Sequence, residues 1–410
     1  MKKNISFFYS LPPNPENGGI ERVSCILAEE LSRKGYNIYY LHQYTSDDIN
    51  VNANRYFKEI IQIDPKTNDL DIKIKSFLIN TKIEIVIYQG GSMDFIKVIA
   101  QLKEELNISL FVVSHVPPVL DTSVIKYHLY HNVKDIKSLL KLIAIKLFPR
   151  LYVTFHYNKR QVTYHNHVLK LCDKYIFLSK YHITEIKEKY QVADSSKFCI
   201  IPNPITFNHS LIKSQIVKKE KIIFIVARMD EYQKRISVAL KIWKSMEPYG
   251  YDGWKLLIVG NGRDRNFYDN IANKYKINNL SFEGQQNPLN YYKISSIFLM
   301  TSSFEGFGLT LLEAQQMGVV PIVFDSFSAL HDIILDGHNG VIIKNNDLQS
   351  YKEQLLNLMR NSTYRNNLAK NAIDNSANFS KEKIVAIWEN LFKENDKYET
   401  NNNLSYPSPK

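Results

Sequence analysis

Glu305-Gly306-Phe307-Gly308-Leu309-Thr310-Leu311-Leu312-Glu313 is preceded by the apolar run Ile297-Phe298-Leu299-Met300-Thr301 and followed by the helix-like residues 314–318. The run before it reads as a buried parallel strand, and Leu309, Leu312 and Met317 share one helical face. Glu305 then stands at the carboxyl end of a strand, the edge where open α/β sheets bind ligands. A helix beginning near Gly308 carries Glu313 roughly 7 Å along its axis, so two carboxylates can reach opposite ends of one elongated ligand. Gly306 and Gly308 remove side chains where backbone N–H groups gather, which offers donors and a positive dipole end to an anion. Carboxylates at both ends suit sugar and ribose hydroxyls, and the amides between them suit a diphosphate. The same residues also fit a plain strand-to-helix turn with Glu313 on a solvated face.

Outward from this stretch, strand-like runs alternate with helical patterns. In the first half the strands fall over residues 5–9, 37–41, 83–88, 109–113, 175–178 and 198–201, with helices over 20–33 and 93–106. In the second half they fall over 222–226, 255–259, 280–282, 297–301 and 319–324. This alternation predicts an α/β protein of two Rossmann-like, doubly wound parallel-sheet domains facing across a cleft. Pro202-Asn203-Pro204 and the lysine-rich stretch to Lys221 read as the linker between them. The expected division is residues 1–205 and 206–380, with a last helix over about 381–393. Residues 394–410 lack periodicity, are rich in Asn and Lys, and are expected to be a disordered tail.

The 410 residues suffice for two such domains, each with its own core. The three cysteines, Cys25, Cys172 and Cys199, have no zinc or redox spacing, which suits a reducing cytoplasm. The basic and apolar start ends at Pro12-Pro13 and reads as a first strand rather than a signal peptide. No stretch approaches the roughly 20 apolar residues of a membrane span.

The net charge of +11 is unevenly placed: residues 122–172 hold nine Lys/Arg against the single acid Asp135. Within that segment Ile136, Leu139, Leu140, Ile143 and Leu147 recur at helical spacing among Lys137, Lys141 and Lys146. Such a basic amphipathic helix either lies on an anionic membrane, as a peripheral contact at the inner face of the cell membrane, or packs on the core with solvated lysines. Nucleic acid is disfavoured, because no zinc-finger spacing or RNA-recognition aromatic motif accompanies the charge.

Four other places carry chemistry. Gly18-Gly19, between the first strand and first helix, allows close backbone approach to a phosphate, although a functionless turn would use glycine too. Arg228 ends the first strand of the second half and Lys234 follows it; two cations there can bracket a diphosphate and neutralise charge as a bond to it breaks. Gly260-Asn261-Gly262 follows a strand, but Arg265 stands where G-x-G-x-x-G needs its third glycine, which disfavours NAD. His115 follows the strand over 109–113 and sits at a carboxyl end of the first sheet.

The pattern Glu305 to Glu313, followed by Ala314, Gly318 and Pro321, resembles the E-x7-E signature of the retaining glycosyltransferases grouped as family 4, which have the GT-B fold. The resemblance covers most of the second half, and the first only through Gly18-Gly19 and His115. It implies a retaining hexosyltransferase that uses a nucleoside diphosphate sugar, UDP-linked donors being the commonest in the family, and a saccharide or lipid-linked acceptor. Bacterial surface polysaccharide synthesis (capsular, lipopolysaccharide or teichoic-type) is the implied setting. In that reading Glu305 grips the transferred sugar and Glu313 the ribose. Arg228, Lys234 and the amides from Phe307 through Gly308 to Leu309 hold the diphosphate. Gly18 and Gly19 face the donor's phosphates or the acceptor across the cleft, Gly260 and Gly284 line the base pocket, and His115 acts from the facing domain. The family also implies that the last helix packs back on the first domain. No cofactor or metal is implied. The family's usual Arg-to-Lys spacing is five, against six here, and Arg235 is the alternative cation if the loop is arranged differently. Two rivals stay open: a nucleotide-sugar epimerase of the same fold, and a non-catalytic partner in polysaccharide assembly.

Overall fold

The structure is a computed structural model that describes residues 3–44, 55–120, 124–125, 136–152, 157–190, 192 and 195–403. Parts of the basic segment, including Lys126, Lys134 and Asp135, lie outside the described residues, as do 404–410 of the expected tail.

Seven strands build the first sheet: β1 (Asn4–Tyr9), β2 (Asn37–His42), β3 (Glu59–Gln62), β4 (Ile85–Tyr88), β5 (Ser109–Ser114), β6 (Lys174–Phe177) and β7 (Phe198–Ile200). Six build the second: β8 (Ile222–Val226), β9 (Lys255–Val259), β10 (Leu280–Gly284), β11 (Ile297–Met300), β12 (Val320–Asp325) and β13 (Val341–Lys344). The spatial orders are β3-β2-β1-β4-β5-β6-β7 and β10-β9-β8-β11-β12-β13, and every pairing is parallel. Both are doubly wound sheets, so the α/β reading holds. In each, the chain order reverses beside the first strand, between β1 and β4 and between β8 and β11. Ligands bind at such switch points, outside the carboxyl ends of the strands.

The strands read as continuous apolar runs because both faces of each sheet are covered. Successive residues serve opposite faces: Ile222 and Phe224 enter one core cluster, and Ile223 and Ile225 another. The first of these clusters joins the two domains. It runs from Ile5 and Phe7 of β1 through Phe307 and Leu311 to Trp388 and Phe392 of the last helix, Lys381–Asn403. Phe392 stacks on Phe111 of β5 with ring centroids 6.1 Å apart and meets Tyr36 edge-on, so the chain returns to the first domain. That helix runs ten residues beyond the expected end at 393, and no glycine or proline interrupts it over 394–403.

Two strands, β3 and β13, were not expected from the sequence. Each has four residues and lies at the end of its sheet's order, where neither length nor alternation separates a strand from a loop.

Candidate functional site

The chain segments carrying the candidate residues leave the sheets at or beside the two switch points. Gly18-Gly19 follows β1 and His115 follows β5; Arg228 follows β8 and Glu305 follows β11. The two groups meet across the cleft. A Cβ on Gly306 would stand 1.8 Å from the backbone oxygen of His115, and one on Gly19 would stand 3.1 Å from the Leu309 side chain. Gly306 is therefore required where the first domain's His115 loop touches the second domain.

Gly308 has φ +99° and precedes the helix Leu309–Gln316, whose start receives no side-chain cap. Its first N–H groups are thus left for an anion. Gly18 stands in the corresponding place before the helix Gly19–Arg33, again without a side-chain cap. Phe307 is buried and packs edge-on against Phe379, which anchors the loop between the two glutamates.

Glu305 is buried and held from three sides. Lys234 Nζ lies 2.6 Å from its Oε1, Ser302 Oγ donates to the same oxygen at 2.6 Å, and Gln233 Nε2 donates to Oε2 at 3.2 Å. Arg235 has a different task. Its guanidinium donates to the carbonyls of Thr301 and Ser302 at 2.7 and 3.0 Å and to Asn345 and Asn346, tying the end of β11 to the loop after β13. The structure brings Lys234, and not Arg235, to Glu305. Arg228 is 67% exposed and its closest partners are long, Gln233 at 3.5 Å and Asp230 at 3.9 Å. It keeps most of its hydrogen-bonding capacity for an anion.

Glu313 is fully buried, which rules out the solvated-face reading. Arg22 Nη1 and Thr206 Oγ1 each approach its Oε1 at 2.7 Å, and the Tyr292 hydroxyl donates to Oε2 at 2.9 Å. The carboxylate ties the first domain, the linker and the second domain at one point. Sequence reading placed Glu313 but missed these partners, which lie up to 291 residues away.

Gly260 and Gly262 serve the backbone beside Arg228. A Cβ on either would strike residues 227–229, 2.0 Å from the Ala227 oxygen and 2.5 Å from the Met229 oxygen. Met229 N–H bonds the Asn261 carbonyl, so this turn fixes the loop that carries Arg228. Gly284 caps the neighbouring strand end with φ +71°, and its carbonyl accepts from Gly260 N–H at 2.7 Å. A cavity of about 690 Å³ lies apart from these residues, between linker residues 206–211 and the helix Pro288–Ile294; no candidate site residue lines it.

His115 Nε2 lies 3.0 Å from Gln89 Oε1. A carbonyl oxygen only accepts, so Nε2 carries the proton and Nδ1 remains an acceptor. Burial pushes His115 down to about 4, and the same cause brings His165 and His182 to about 4. Glu21, buried beside Gly18, is raised by burial. The histidines set a pH dependence whose sign is fixed. As pH falls from the ordinary 6.5 toward 4, the unfolded chain takes up protons that the folded chain refuses, so stability is lost through that window. Burial also lowers His42, which adds to this loss, and raises Glu21, Glu185 and Glu231, which act in the opposite sense; the large shifts are those of His115, His165 and His182, so the histidines set the sign. Urea unfolding is expected to give a lower midpoint at pH 5 than at pH 7; equal midpoints would contradict this.

Residues 208–375 match the family Glycosyl transferases group 1. The second domain is a glycosyl transferases group 1 domain. The chain is accordingly a glycosyltransferase. It is 24% identical over 381 residues to an uncharacterized glycosyltransferase of Haemophilus influenzae, covering 91% of this chain and 96% of that one. It is 31% identical over 176 residues to the amylovoran biosynthesis glycosyltransferase AmsD of Erwinia amylovora, covering 42% of this chain and 48% of that relative. Among solved structures, Anabaena Alr3699/HepE in complex with UDP and glucose superposes with a TM-score of 0.71 over 96% of this chain and 100% of that one, at 12% identity. That likeness establishes the two-domain fold.

Among the described residues no helix is long and apolar enough to cross a membrane.

Proposed function

We propose that this glycosyltransferase moves a sugar, with retention, from a UDP-linked donor to a hydroxyl of a saccharide or lipid-linked saccharide in bacterial surface polysaccharide synthesis. The observation that carries the reading is the meeting, across the cleft, of Gly18-Gly19 and His115 with the uncapped helix start at Gly308. Lys234 and Arg228 lie beside that start.

The donor's diphosphate sits at the Gly308 helix start, where N–H groups point outward and the dipole favours negative charge. Arg228 and Lys234 neutralise the charge that collects on it as the anomeric carbon–oxygen bond breaks. Glu305 binds the transferred sugar through its hydroxyls, already oriented by Ser302 and Gln233. Glu313 exchanges part of its Arg22 and Thr206 contacts for the ribose hydroxyls. The acceptor oxygen attacks the anomeric carbon on the face the diphosphate leaves, and its proton passes to the departing phosphate oxygen. His115 orients the acceptor or a sugar hydroxyl from the facing domain, using the nitrogen that Gln89 leaves free. Arginine, lysine and backbone amides supply the positive charge, so the reading involves no metal. Closure of the domains excludes water and limits hydrolysis of the donor.

The UDP preference is supported by solved structures of the same fold that hold UDP with glucose or with GlcNAc. The surface-polymer setting is supported by relatives named for amylovoran synthesis and for poly(glycerol-phosphate) glucosylation.

The test is to incubate the protein with UDP-sugars and candidate lipid-linked acceptors, follow UDP release, and assign the anomeric configuration of the product. Acceptor-dependent UDP release with a retained anomer is expected. Inversion, or consumption of donor without any acceptor dependence, would overturn the reading. Arg228→Ala is expected to lower kcat/KM for the donor by about a hundredfold, since it removes one charge-assisted contact to the leaving group. Unchanged kcat/KM would remove Arg228 from the site.

A further inference from the structure

The helix Ile136–Leu147 turns Leu142 and Ile145 inward, where they pack with Ile125. The apolar residues whose spacing marked the helix in the sequence face outward instead. Ile136 is 78% exposed, Leu140 60% and Leu147 66%; Leu139 and Ile143 are also exposed, and Phe148 continues the strip. Each large apolar side chain left in water forgoes about 1.5–3 kcal/mol of burial, and a contiguous strip of this kind marks a contact surface.

Charge selects the occupant. Lys137 and Lys141 border the strip and are exposed, the helix contains no acid, and residues 122–172 carry nine basic side chains against one acid. A second copy docked symmetrically would bring like charges together. An anionic bilayer offers opposite charge at its surface and apolar chains beneath. We propose that this face inserts into the headgroup region of an anionic membrane, with Leu139, Leu140, Ile143 and Phe148 entering the apolar layer and the lysines meeting lipid phosphates. The segment follows β5, whose carboxyl end carries His115 at the cleft, so the bilayer engages the domain opposite the nucleotide-side motifs. The contact stands whether or not the proposed donor chemistry is right.

Sedimentation of the full-length protein with vesicles tests it, using phosphatidylcholine alone or with roughly one-third phosphatidylglycerol. The protein is expected to pellet with the anionic vesicles and to stay in solution with the neutral ones. Lys137→Gln/Lys141→Gln should weaken binding about thirtyfold. Leu140→Glu/Ile143→Glu should weaken it on the order of tenfold or more. All four residues are exposed, so thermal unfolding midpoints should match the wild type, which separates lost binding from lost fold. Absence of pelleting with anionic vesicles would overturn the proposal, as would pelleting that Leu140→Glu/Ile143→Glu leaves unchanged. A lipid-free dimer seen by light scattering and abolished by that double variant would assign the face to a second copy and overturn it as well.

Discussion

Glu305→Gln is expected to lower kcat by about a hundredfold or more while the donor's dissociation constant changes little. The carboxylate lies 2.6 Å from Lys234 Nζ, and Ser302 and Gln233 hold it in place. That pairing links the residue proposed to grip the sugar with a cation proposed to face the departing diphosphate. As the bond between them breaks, positive character grows on the sugar and negative charge on the phosphate, and the Glu305–Lys234 pair is oriented for both. Glutamine keeps the shape and can still accept from Ser302 and Lys234, so the fold should survive. What is lost is the charge, whose effect grows toward the transition state. Steady-state kinetics together with nucleotide titration check this. Unchanged kcat would show that Glu305 is only a strand-end anchor.

Arg22→Ala is expected to cost about 3 kcal/mol of stability, because it leaves the Glu313 carboxylate buried with only two hydroxyl donors. The Arg22 side chain is 28% exposed and that of Glu313 fully buried, so solvent screens the pair only from the arginine side. The cost comes mostly from the abandoned charge. Glu313→Gln placed on the Arg22→Ala background should therefore recover much of the loss. Urea unfolding of the four proteins of this cycle measures the coupling. A loss under about 0.5 kcal/mol in Arg22→Ala would show that Glu313 is not sustained by this pair.

The fold was legible because strands covered on both faces announce themselves as apolar runs, as with the six buried residues of β5. It failed for β3, whose Glu59 and Gln62 are exposed, and for four-residue β13. The two glutamates of the site were legible from one local stretch, since strand end, glycine turn and helix lie within the fourteen residues from Met300 to Glu313. Their partners were not. Arg22, Thr206 and Tyr292 reach Glu313 from three separate elements, and only the closed fold places them together. The choice between Lys234 and Arg235 likewise depends on a turn with Arg235 at φ +46°, which aims the two side chains apart. The helix Ile136–Leu147 shows the limit of periodicity. Its spacing revealed an apolar face, while the inward side belongs to Leu142 and Ile145.

In the proposed mechanism the cleft between the domains holds a nucleoside diphosphate sugar. Thermal unfolding of the wild type and of Lys234→Ala with UDP, GDP, ADP, NAD and the corresponding sugar nucleotides reads this binding out. A ligand present at about one hundred times its dissociation constant stabilises the folded state by about 2.7 kcal/mol. A rise in the wild-type midpoint with one nucleoside diphosphate, larger with its sugar conjugate and diminished in Lys234→Ala, is the predicted result; no rise with any of them at saturating concentration would contradict the claim.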